Sequence, residues 1–345
     1  MADTTAALES DGVTIVPGVL SELEQKQMRD GYWDFFEYIT HGRVLRNDIS
    51  TWDNIKEWLP NHGMLFQHHR VGHMQAVWDV RQNPNVVQVF ADLYGKDVDE
   101  MTCSMDGVSF ELPKSNKKKT KAWWHVDQAP CRSNQKLCVQ GWVTAEDVGA
   151  GDATLAVLKG SHRMYSEFCT EHGFTSTANW FKLDESHVSW FIAKGCKVEE
   201  VKCKAGSLVL WDSRTVHYGK PSEQERAFPR RVRYVAYVSY APSDLMSNKE
   251  RLKKITIAEK LRMTTHWPCR YLKMFPEKPR LYPGDVMPPV AAPIPPRLTA
   301  LGTRLIGYTD PTACTFYANP KDPDQSSDDE EPLSLRFKRK KLGEL

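Results

Sequence analysis

Two stretches of this sequence decide its fold and its chemistry: WWHVDQ at residues 123–128 and SLVLWDSRTVHYG at residues 207–219. His125 and Asp127 stand two positions apart, so on a strand both side chains project from the same face. An imidazole nitrogen and a carboxylate oxygen can then take adjacent positions on one small ion. The second stretch is a hydrophobic strand followed by a turn that ends at His217, which offers a third ligand.

Two histidines and one carboxylate on one face of an octahedron leave three positions open, the arrangement associated with non-haem Fe(II) oxygenases. Two open positions accept a 2-oxo acid through its carboxylate and keto oxygens, and the remaining one takes O2. A histidine and an aspartate two positions apart are weak evidence for a metal site by themselves, because such pairs arise often by chance. The sequence predicts His125, Asp127 and His217 as iron ligands and catalytic residues.

An arginine cluster after His217 strengthens this prediction. A guanidinium suits the distal carboxylate of 2-oxoglutarate, because its planar fork bonds both oxygens at once. The cluster opens a predicted strand, PRRVRYVAYVS, and comprises Arg226, Arg230, Arg231 and Arg233. As an ordered set, the two ligand stretches followed by an arginine on the next strand favour Fe(II), 2-oxoglutarate and O2 as the cofactor and cosubstrates.

The elements around these stretches indicate mainly β structure with flanking helices. SELEQKQMRDGYWDFFEYI has apolar residues near a 3.6 period, with Ser21 and Glu24 as a capping box, and PNVVQVFADLYG predicts a second helix ended by Gly95. From about residue 101 to 245, short β runs alternate with Gly, Pro and Ser, a pattern typical of a barrel or sandwich.

The same residues resemble the phytanoyl-CoA dioxygenase (PhyH) superfamily of Fe(II)/2-oxoglutarate-dependent oxygenases. Between the two ligand stretches, QGWVTAEDVGAGDATLAVLKGSH contains acidic residues ending a strand, a Gly-containing turn, a short apolar strand and a G-S-H triplet at residues 160–162. The resemblance covers about residues 10 to 245 and is strongest from 123 to 241.

The resemblance implies a double-stranded β-helix, that is, a jelly-roll or cupin-like barrel with helices packed on one sheet. It implies His125, Asp127 and His217 as the iron ligands. For 2-oxoglutarate it favours Arg230, which heads the more apolar face of the last strand, with Arg233 and Arg231 as alternatives. It also implies hydroxylation of an organic substrate with release of succinate and CO2.

Composition adds limits. The 345 residues carry 46 Lys+Arg against 44 Asp+Glu, too even a balance to indicate nucleic-acid or membrane binding by the whole domain. The eight cysteines show no zinc-knuckle spacing, so we expect free thiols. The chain shows no signal-peptide pattern or membrane-spanning run, so the cytoplasm is expected, with the nucleus as an alternative.

We expect an oxygenase domain over residues 1–260, with a helical part to about 100 and a barrel over about 101–245. Residues 261–345 are expected to form a proline-rich, charged and partly disordered extension. The basic run NKKKTK at 116–121 is interpreted as a solvated loop. A second basic run, RFKRKK at 336–341, is a weak candidate for a nuclear signal or a polyanion-binding tail.

Several alternatives stay open. A catalytically idle PhyH-like binding protein would keep the fold, and a cupin-like protein would use zinc or manganese without 2-oxoglutarate. A small molecule is the favoured substrate, while a nucleic acid or a protein substrate is not excluded and no membrane partner is expected. A histidine cluster in FQHHRVGH, at residues 66–73, is interpreted mainly as structural.

Overall fold

A computed structural model describes residues 2–58, 61–62, 64–113, 121–223, 225–277, 279, 281 and 283–319. Most of the 116–121 run and all of the 336–341 run lie outside these residues. The α-helices in chain order are α1 Ala2–Asp11, α2 Glu22–Ile39, α3 Gln75–Arg81, α4 Pro84–Tyr94, α5 Ser161–Glu171, α6 Glu185–Ala193, α7 Asn248–Glu259 and α8 Ala300–Ile306.

The strands are short, and most are buried. They are β1 Val13–Val16, β2 Asn61–His62, β3 Leu65–Phe66, β4 Met101–Cys103, β5 Val108–Glu111, β6 His125–Val126, β7 Val139–Thr144, β8 Thr154–Lys159, β9 Phe181–Lys182, β10 Lys197–Glu200, β11 Leu208–Asp212, β12 His217–Lys220 and β13 Arg233–Pro242.

The described strands form two antiparallel sheets. The major sheet has the order β1-β11-β7-β13-β5-β3-β2, with β4 beside β13, and the minor sheet has the order β10-β8-β12-β6-β9. Apart from β2 and β3, strands that are neighbours in a sheet do not follow one another in sequence, as in a jelly roll. The predicted double-stranded β-helix is confirmed.

One hydrophobic cluster fills the space between the two sheets. It joins Trp142, Trp211 and Val235 of the major sheet to Leu155 and Val157 of the minor sheet. Alternate residues of a strand point to opposite faces, so the other face of β13 packs elsewhere. That arrangement places β13 between the barrel interior and the helices.

A larger cluster packs the helices against the outer face of the major sheet. Phe36 of α2 stacks on Phe110 of β5 with ring centroids 4.4 Å apart, and Trp33 donates a hydrogen bond to the Tyr234 hydroxyl over 2.7 Å. The expected capping box of Ser21 and Glu24 is present. These helices brace the sheet that carries one wall of the barrel.

Part of the segment after residue 260 also lies in this larger cluster. Leu298, Leu305 and Ile306 are each 0% exposed. The Lys254 ammonium of α7 donates a 2.9 Å hydrogen bond to the Leu305 carbonyl. The boundary expected at residue 260 stays a prediction, but the first part of the expected extension is packed into the same core.

The buried His73 shows how one residue of the histidine cluster is satisfied without a ligand. Its Nε2 bonds to the Arg262 carbonyl over 2.8 Å, and Trp78 Nε1 donates to its Nδ1 over 3.3 Å. The ring is therefore the neutral tautomer with the proton on Nε2. Burial lowers the pKa of His73 to about 3.

Among the described residues, no helix combines the length and the apolar character needed to cross a bilayer.

Candidate metal centre

The three predicted ligands converge at one end of the barrel. His125 on β6 lies directly opposite His217 on β12, with ring centroids 4.3 Å apart. Asp127 follows β6, and its carboxylate oxygens lie 3.7 Å from His125 Nε2 and 3.3 Å from His217 Nε2. One ligand atom from each residue lies within 4.8 Å of the others, so the three can share an ion.

Backbone carbonyls orient both imidazoles for metal binding. His125 Nδ1 donates to the Trp123 carbonyl over 3.2 Å, and His217 Nδ1 donates to the Thr215 carbonyl over 2.8 Å. A carbonyl only accepts, so the proton is on Nδ1 and the Nε2 lone pair is free for a metal. Burial, together with the neighbouring His217 ring, lowers the pKa of His125 to about 4, which keeps it a neutral ligand near pH 7.

Asp127 is held as a carboxylate. Burial by itself would raise its pKa, but the surrounding imidazoles of His125, His266 and His217 outweigh burial and bring the pKa well below its usual range. Gln140 on β7 donates to Asp127 Oδ2 over 3.1 Å. A metal ligand needs this ionised form, and the amide fixes one carboxylate oxygen.

Two buried polar side chains brace the ligand-bearing segments. Gln128 donates to the Arg132 and Gln135 carbonyls over 2.6 and 2.7 Å and accepts from Ser213 Oγ over 2.7 Å. Ser161 Oγ accepts from the Val216 amide over 2.8 Å, so the G-S-H triplet fixes the residue before His217.

Among the described residues, a buried arginine lies in the barrel interior beside Trp142. Arg233 is 7% exposed. Its Nε donates to Ser109 Oγ over 2.9 Å, its Nη1 donates to the Ala153 carbonyl over 2.5 Å, and its guanidinium lies 5.2 Å from the Trp142 ring centroid. Arg233, rather than its neighbours, therefore brings a positive charge inside the barrel.

The other arginines of the cluster lie elsewhere. Arg230 is exposed and precedes β13, which begins only at Arg233. Arg226 and Arg231 both pair with Asp152, over 3.0 and 2.6 Å. The expectation that Arg230 opens the last strand is wrong: the more apolar face that it was assigned to packs against the helices through Tyr234, Ala236, Val238 and Tyr240.

The donors inside the barrel fit Fe(II) and an oxo acid. Two imidazoles and one carboxylate are the protein ligands of non-haem Fe(II) sites that keep positions open. The buried Trp142 Nε1 and Trp211 Nε1 have no hydrogen-bond partner among the described residues, and an indole N–H can only donate. With Arg233, these groups can accommodate a ligand that presents several anionic oxygens.

A model of the phytanoyl-CoA dioxygenase (PhyH) family matches residues 8–228, a span that contains all three predicted ligands. The chain belongs to the PhyH family.

A curated relative of this PhyH chain is Ava biosynthesis cluster protein O of Aspergillus versicolor. The two are 31% identical over 210 residues, which cover 59% of this chain and 66% of the relative. The match thus spans slightly less than two thirds of that relative's own length.

Solved structures similar to this PhyH chain are more distant. The epimerase SnoN in complex with Fe3+, alpha ketoglutarate and nogalamycin RO is 17% identical with a TM-score of 0.46, covering 70% of this chain and 83% of SnoN. EctD from S. alaskensis with 2-oxoglutarate and 5-hydroxyectoine is 15% identical with a TM-score of 0.45, covering 71% of this chain and 77% of EctD.

Sequence reasoning missed two residues near the centre of this PhyH chain. Gln140 shares the inward face of β7 with Trp142, since the two alternate along the strand, and that spacing was a usable signal. His266 lies in the segment after the barrel, and no local pattern indicates its place beside Asp127.

Proposed function

We propose that this chain is an Fe(II)- and 2-oxoglutarate-dependent oxygenase, with His125, Asp127 and His217 as iron ligands. The observation that carries the proposal is the convergence of two oriented Nε2 atoms and one ionised carboxylate within 4.8 Å. Unlike a zinc or manganese cupin, such an oxygenase also needs a binding site for an oxo acid beside the metal.

Arg233 is the proposed partner of the distal carboxylate of 2-oxoglutarate. Its burial, its place inside the barrel and the unpartnered indole N–H groups of Trp142 and Trp211 support this assignment. Arg230 is less suited, because an exposed guanidinium gains little from an ion pair in water.

Iron, 2-oxoglutarate and O2, when bound, would supply the oxidation: one oxygen atom of O2 would enter succinate as the oxo acid loses CO2, and the other would hydroxylate the substrate. The chain's own residues hold the metal ligands in place and orient the cosubstrate. The Trp123 and Thr215 carbonyls keep the ligand rings in register, and Gln140 fixes the carboxylate of Asp127. Arg233 orients the cosubstrate, and the apolar barrel interior excludes water.

A small organic molecule is the proposed substrate. The side chains of His125, Asp127 and His217 are only 6%, 15% and 5% exposed. Such narrow access suits a single small molecule better than a folded macromolecule. An isolated protein side chain or an extruded nucleobase would also fit this constraint, so these are the competing substrate classes.

The proposal is tested with full-length protein reconstituted anaerobically with Fe(II). We expect about one iron per chain and, after O2 is admitted, release of labelled CO2 from 1-labelled 2-oxoglutarate. Asp127→Ala should lose both. Asp53→Ala is the matched control, because the Asp53 side chain is 62% exposed and pairs with Lys56, which is also exposed.

Two results would contradict the proposal. A folded Asp127→Ala protein that binds Fe(II) as tightly as wild type would contradict the proposed metal centre. Wild-type protein that takes up iron but never decarboxylates 2-oxoglutarate would favour the idle binding protein, and preferential uptake of zinc would favour the cupin alternative.

A further inference from the structure

The edge strand β9 lies directly beside the predicted metal ligands. In the minor sheet β9 pairs with β6, and Lys182 lies opposite His125. On its other side, His125 lies opposite His217 of β12. Residues opposite each other in an antiparallel pair place their side chains on the same face, with Cβ atoms about 4.5–5.5 Å apart. Lys182 therefore continues the row of side chains that His217 and His125 begin.

The residues around β9 alternate between the two faces of the sheet. Phe181 belongs to a hydrophobic cluster on the outer face of the minor sheet, where its ring centroid lies 4.7 Å from that of Phe174. Its neighbours Trp180 and Lys182 point the other way. The position of the Trp180 ring agrees with this, because its centroid lies 6.0 Å from that of His125. One edge strand thus presents an indole and an ammonium group to the face that carries the predicted ligands.

Hydrogen bonds at both ends of β9 hold Trp180 in place. Just before it, Asn179 Oδ1 accepts from the Ala129 amide over 3.3 Å. Just after the strand, the Leu183 amide donates to the Trp124 carbonyl over 2.8 Å. Both ends of β9 are therefore tied to the chain segment that carries two of the three predicted ligands. A surface that is ordered before binding loses less conformational freedom when a ligand arrives.

Trp180 and Lys182 are nevertheless open to solvent. Trp180 is 51% exposed, although its ring lies beside a buried imidazole. Lys182 is exposed, and within the described ranges its ammonium group takes part in no hydrogen bond or ion pair. By contrast, the exposed Lys121 pairs with Glu185 over 2.6 Å. The indole surface and the unpaired charge are therefore both available to a molecule that enters from solvent.

A second indole lies against the same imidazole. Trp123 stacks on His125 with ring centroids 4.6 Å apart and an interplanar angle of 5°. Its Nε1 donates to the Gly219 carbonyl over 3.3 Å, which fixes the ring, and Trp123 is less exposed than Trp180. The surroundings of His125 are thus aromatic, and Trp180 offers the more open of the two rings to a ligand.

The two groups on this edge suit different parts of one molecule. An indole face stabilises a flat aromatic ring by stacking, whereas an ammonium group attracts a carboxylate, sulfonate or phosphate oxygen. Residues two apart on an extended chain are separated by about 7 Å. A single small molecule can therefore place a ring on Trp180 and an anionic substituent at Lys182.

We propose that β9 and the residue before it form the substrate-binding wall of this site. Trp180 stacks on a flat aromatic ring of the substrate, and Lys182 pairs with an anionic group that the ring carries. The substrate class is thus a small aromatic anion. This inference rests on the proposed function, since it deepens the assignment of the same site, and it makes Trp180 and Lys182 residues that determine specificity.

The test compares two fragments that share a naphthalene ring and differ in charge, 2-naphthalenesulfonate and 2-naphthalenesulfonamide. Each is titrated calorimetrically into full-length protein loaded with Fe(II) and 2-oxoglutarate in the absence of O2. We expect wild type to bind the anion about two- to fivefold more tightly than the neutral amide, the effect of one ion pair near the surface. This preference should shrink as the salt concentration rises.

Three variants separate the charge from the ring. Lys182→Met should remove the preference for the anion, and Lys182→Glu should reverse it, because a carboxylate repels the sulfonate. Trp180→Leu should weaken the binding of both fragments about two- to tenfold while the preference for the anion remains.

Two matched controls should behave as wild type. Lys197→Glu makes the same change of charge at another exposed lysine, which lies on β10 at the opposite edge of the same sheet. Phe228→Leu removes a different exposed aromatic ring, which is 58% exposed and packs on Arg231. Equal effects of Lys197→Glu and Lys182→Glu would show that only the net charge of the protein matters, and would overturn the inference.

Other outcomes also overturn it. These are a wild type that binds neither fragment, an anion preference that survives in Lys182→Glu, and an unchanged affinity for both fragments in Trp180→Leu. A Lys182→Met protein that loses affinity for 2-oxoglutarate and keeps the anion preference would assign Lys182 to the cosubstrate instead. Release of labelled CO2 by the same wild-type preparation separates the two levels: its absence overturns the proposed function, and its presence confines the failure to the substrate wall.

Discussion

Replacing Arg233 is the most direct test of how this barrel binds its cosubstrate. Arg233→Met keeps the length of the apolar stem and removes the guanidinium. A charge-assisted hydrogen bond contributes about 1.5–2 kcal/mol, and a carboxylate held by a fork makes two, so about 3–4 kcal/mol of binding free energy is lost. Since 1.4 kcal/mol corresponds to a factor of ten, 2-oxoglutarate should bind about 10²- to 10³-fold more weakly.

The assay is an anaerobic titration of 2-oxoglutarate into the Fe(II)-loaded protein, followed by the absorbance of the metal–oxo acid complex. Arg233→Lys keeps the charge and loses the planar fork, so its affinity should lie between those of wild type and Arg233→Met. Arg230→Met is the matched control and should change the dissociation constant by less than about twofold, as expected for an exposed residue.

The variant also has a structural cost, which must be separated from binding. Without the guanidinium, Ser109 Oγ and the Ala153 carbonyl each lose a donor, at about 1–3 kcal/mol per buried group left unsatisfied. Circular dichroism and thermal unfolding therefore accompany the titration. A folded Arg233→Met protein with wild-type affinity, or a large loss in Arg230→Met instead, would refute the assignment.

Three further perturbations test other parts of the structure. Gln140→Leu should weaken Fe(II) binding about 10- to 100-fold, since the amide that fixes Asp127 is lost, and wild-type affinity in a metal titration would contradict that role. Leu305→Ala should lower the free energy of unfolding by about 2–5 kcal/mol, whereas the exposed Leu252→Ala should change it by less than about 0.5 kcal/mol; equal denaturation midpoints for the two would show that the segment is not in the core. The pKa of His73 lies at about 3, below its unfolded value, so the unfolded chain binds more protons between about pH 3 and 6.5 and stability falls as pH falls. His73→Gln should reduce the slope of the free energy of unfolding against pH by up to about 1.4 kcal/mol per pH unit. Urea unfolding at pH 5, 6 and 7 measures this slope.

The convergence of His125, Asp127 and His217 was predictable from sequence because it depends on local geometry. Two positions on one strand, and one position after a hydrophobic strand, are constrained by the side-chain alternation of β structure. In the structure β6 ends at Val126, so Asp127 lies just beyond the strand, yet its carboxylate still reaches both imidazoles. The same local rules predicted the first turn of α2 and the end of α4 at Gly95.

The arginine proposed for 2-oxoglutarate, Arg233, was harder to find from sequence, because the more apolar face of β13 packs against the helices and not into the barrel. A strand between a helical layer and a ligand-binding barrel has two buried faces, and the more apolar one packs on the helices. The face that holds Arg233, Tyr237 and Ser239 is more polar, and it belongs to the barrel interior in which we propose that 2-oxoglutarate binds. Burial on both sides removes the contrast on which a sequence pattern depends.

His266 and the packing of Leu305 could not be predicted locally. Both depend on contacts between segments more than one hundred residues apart, such as the hydrogen bond that the Met105 amide donates to Thr264 Oγ1. Proline-rich composition in this region favours an extended chain. An extended chain can still pack when its apolar side chains are buried in the hydrophobic core, as Leu298 is.

The loop from Thr264 to Met274 is closed at its base, because Thr264 bridges to Met274 and the Phe275 amide bonds to the Met263 carbonyl over 2.8 Å, and this closure has a practical consequence for protein engineering. Its two ends are fixed by backbone hydrogen bonds that do not depend on the side chains between them. Randomising positions 265–267 would therefore vary the side chains around His266, which acts electrostatically on Asp127, while leaving the codons for His125, Asp127 and His217 untouched. A combinatorial library confined to that short window should yield folded proteins that differ in what they accept.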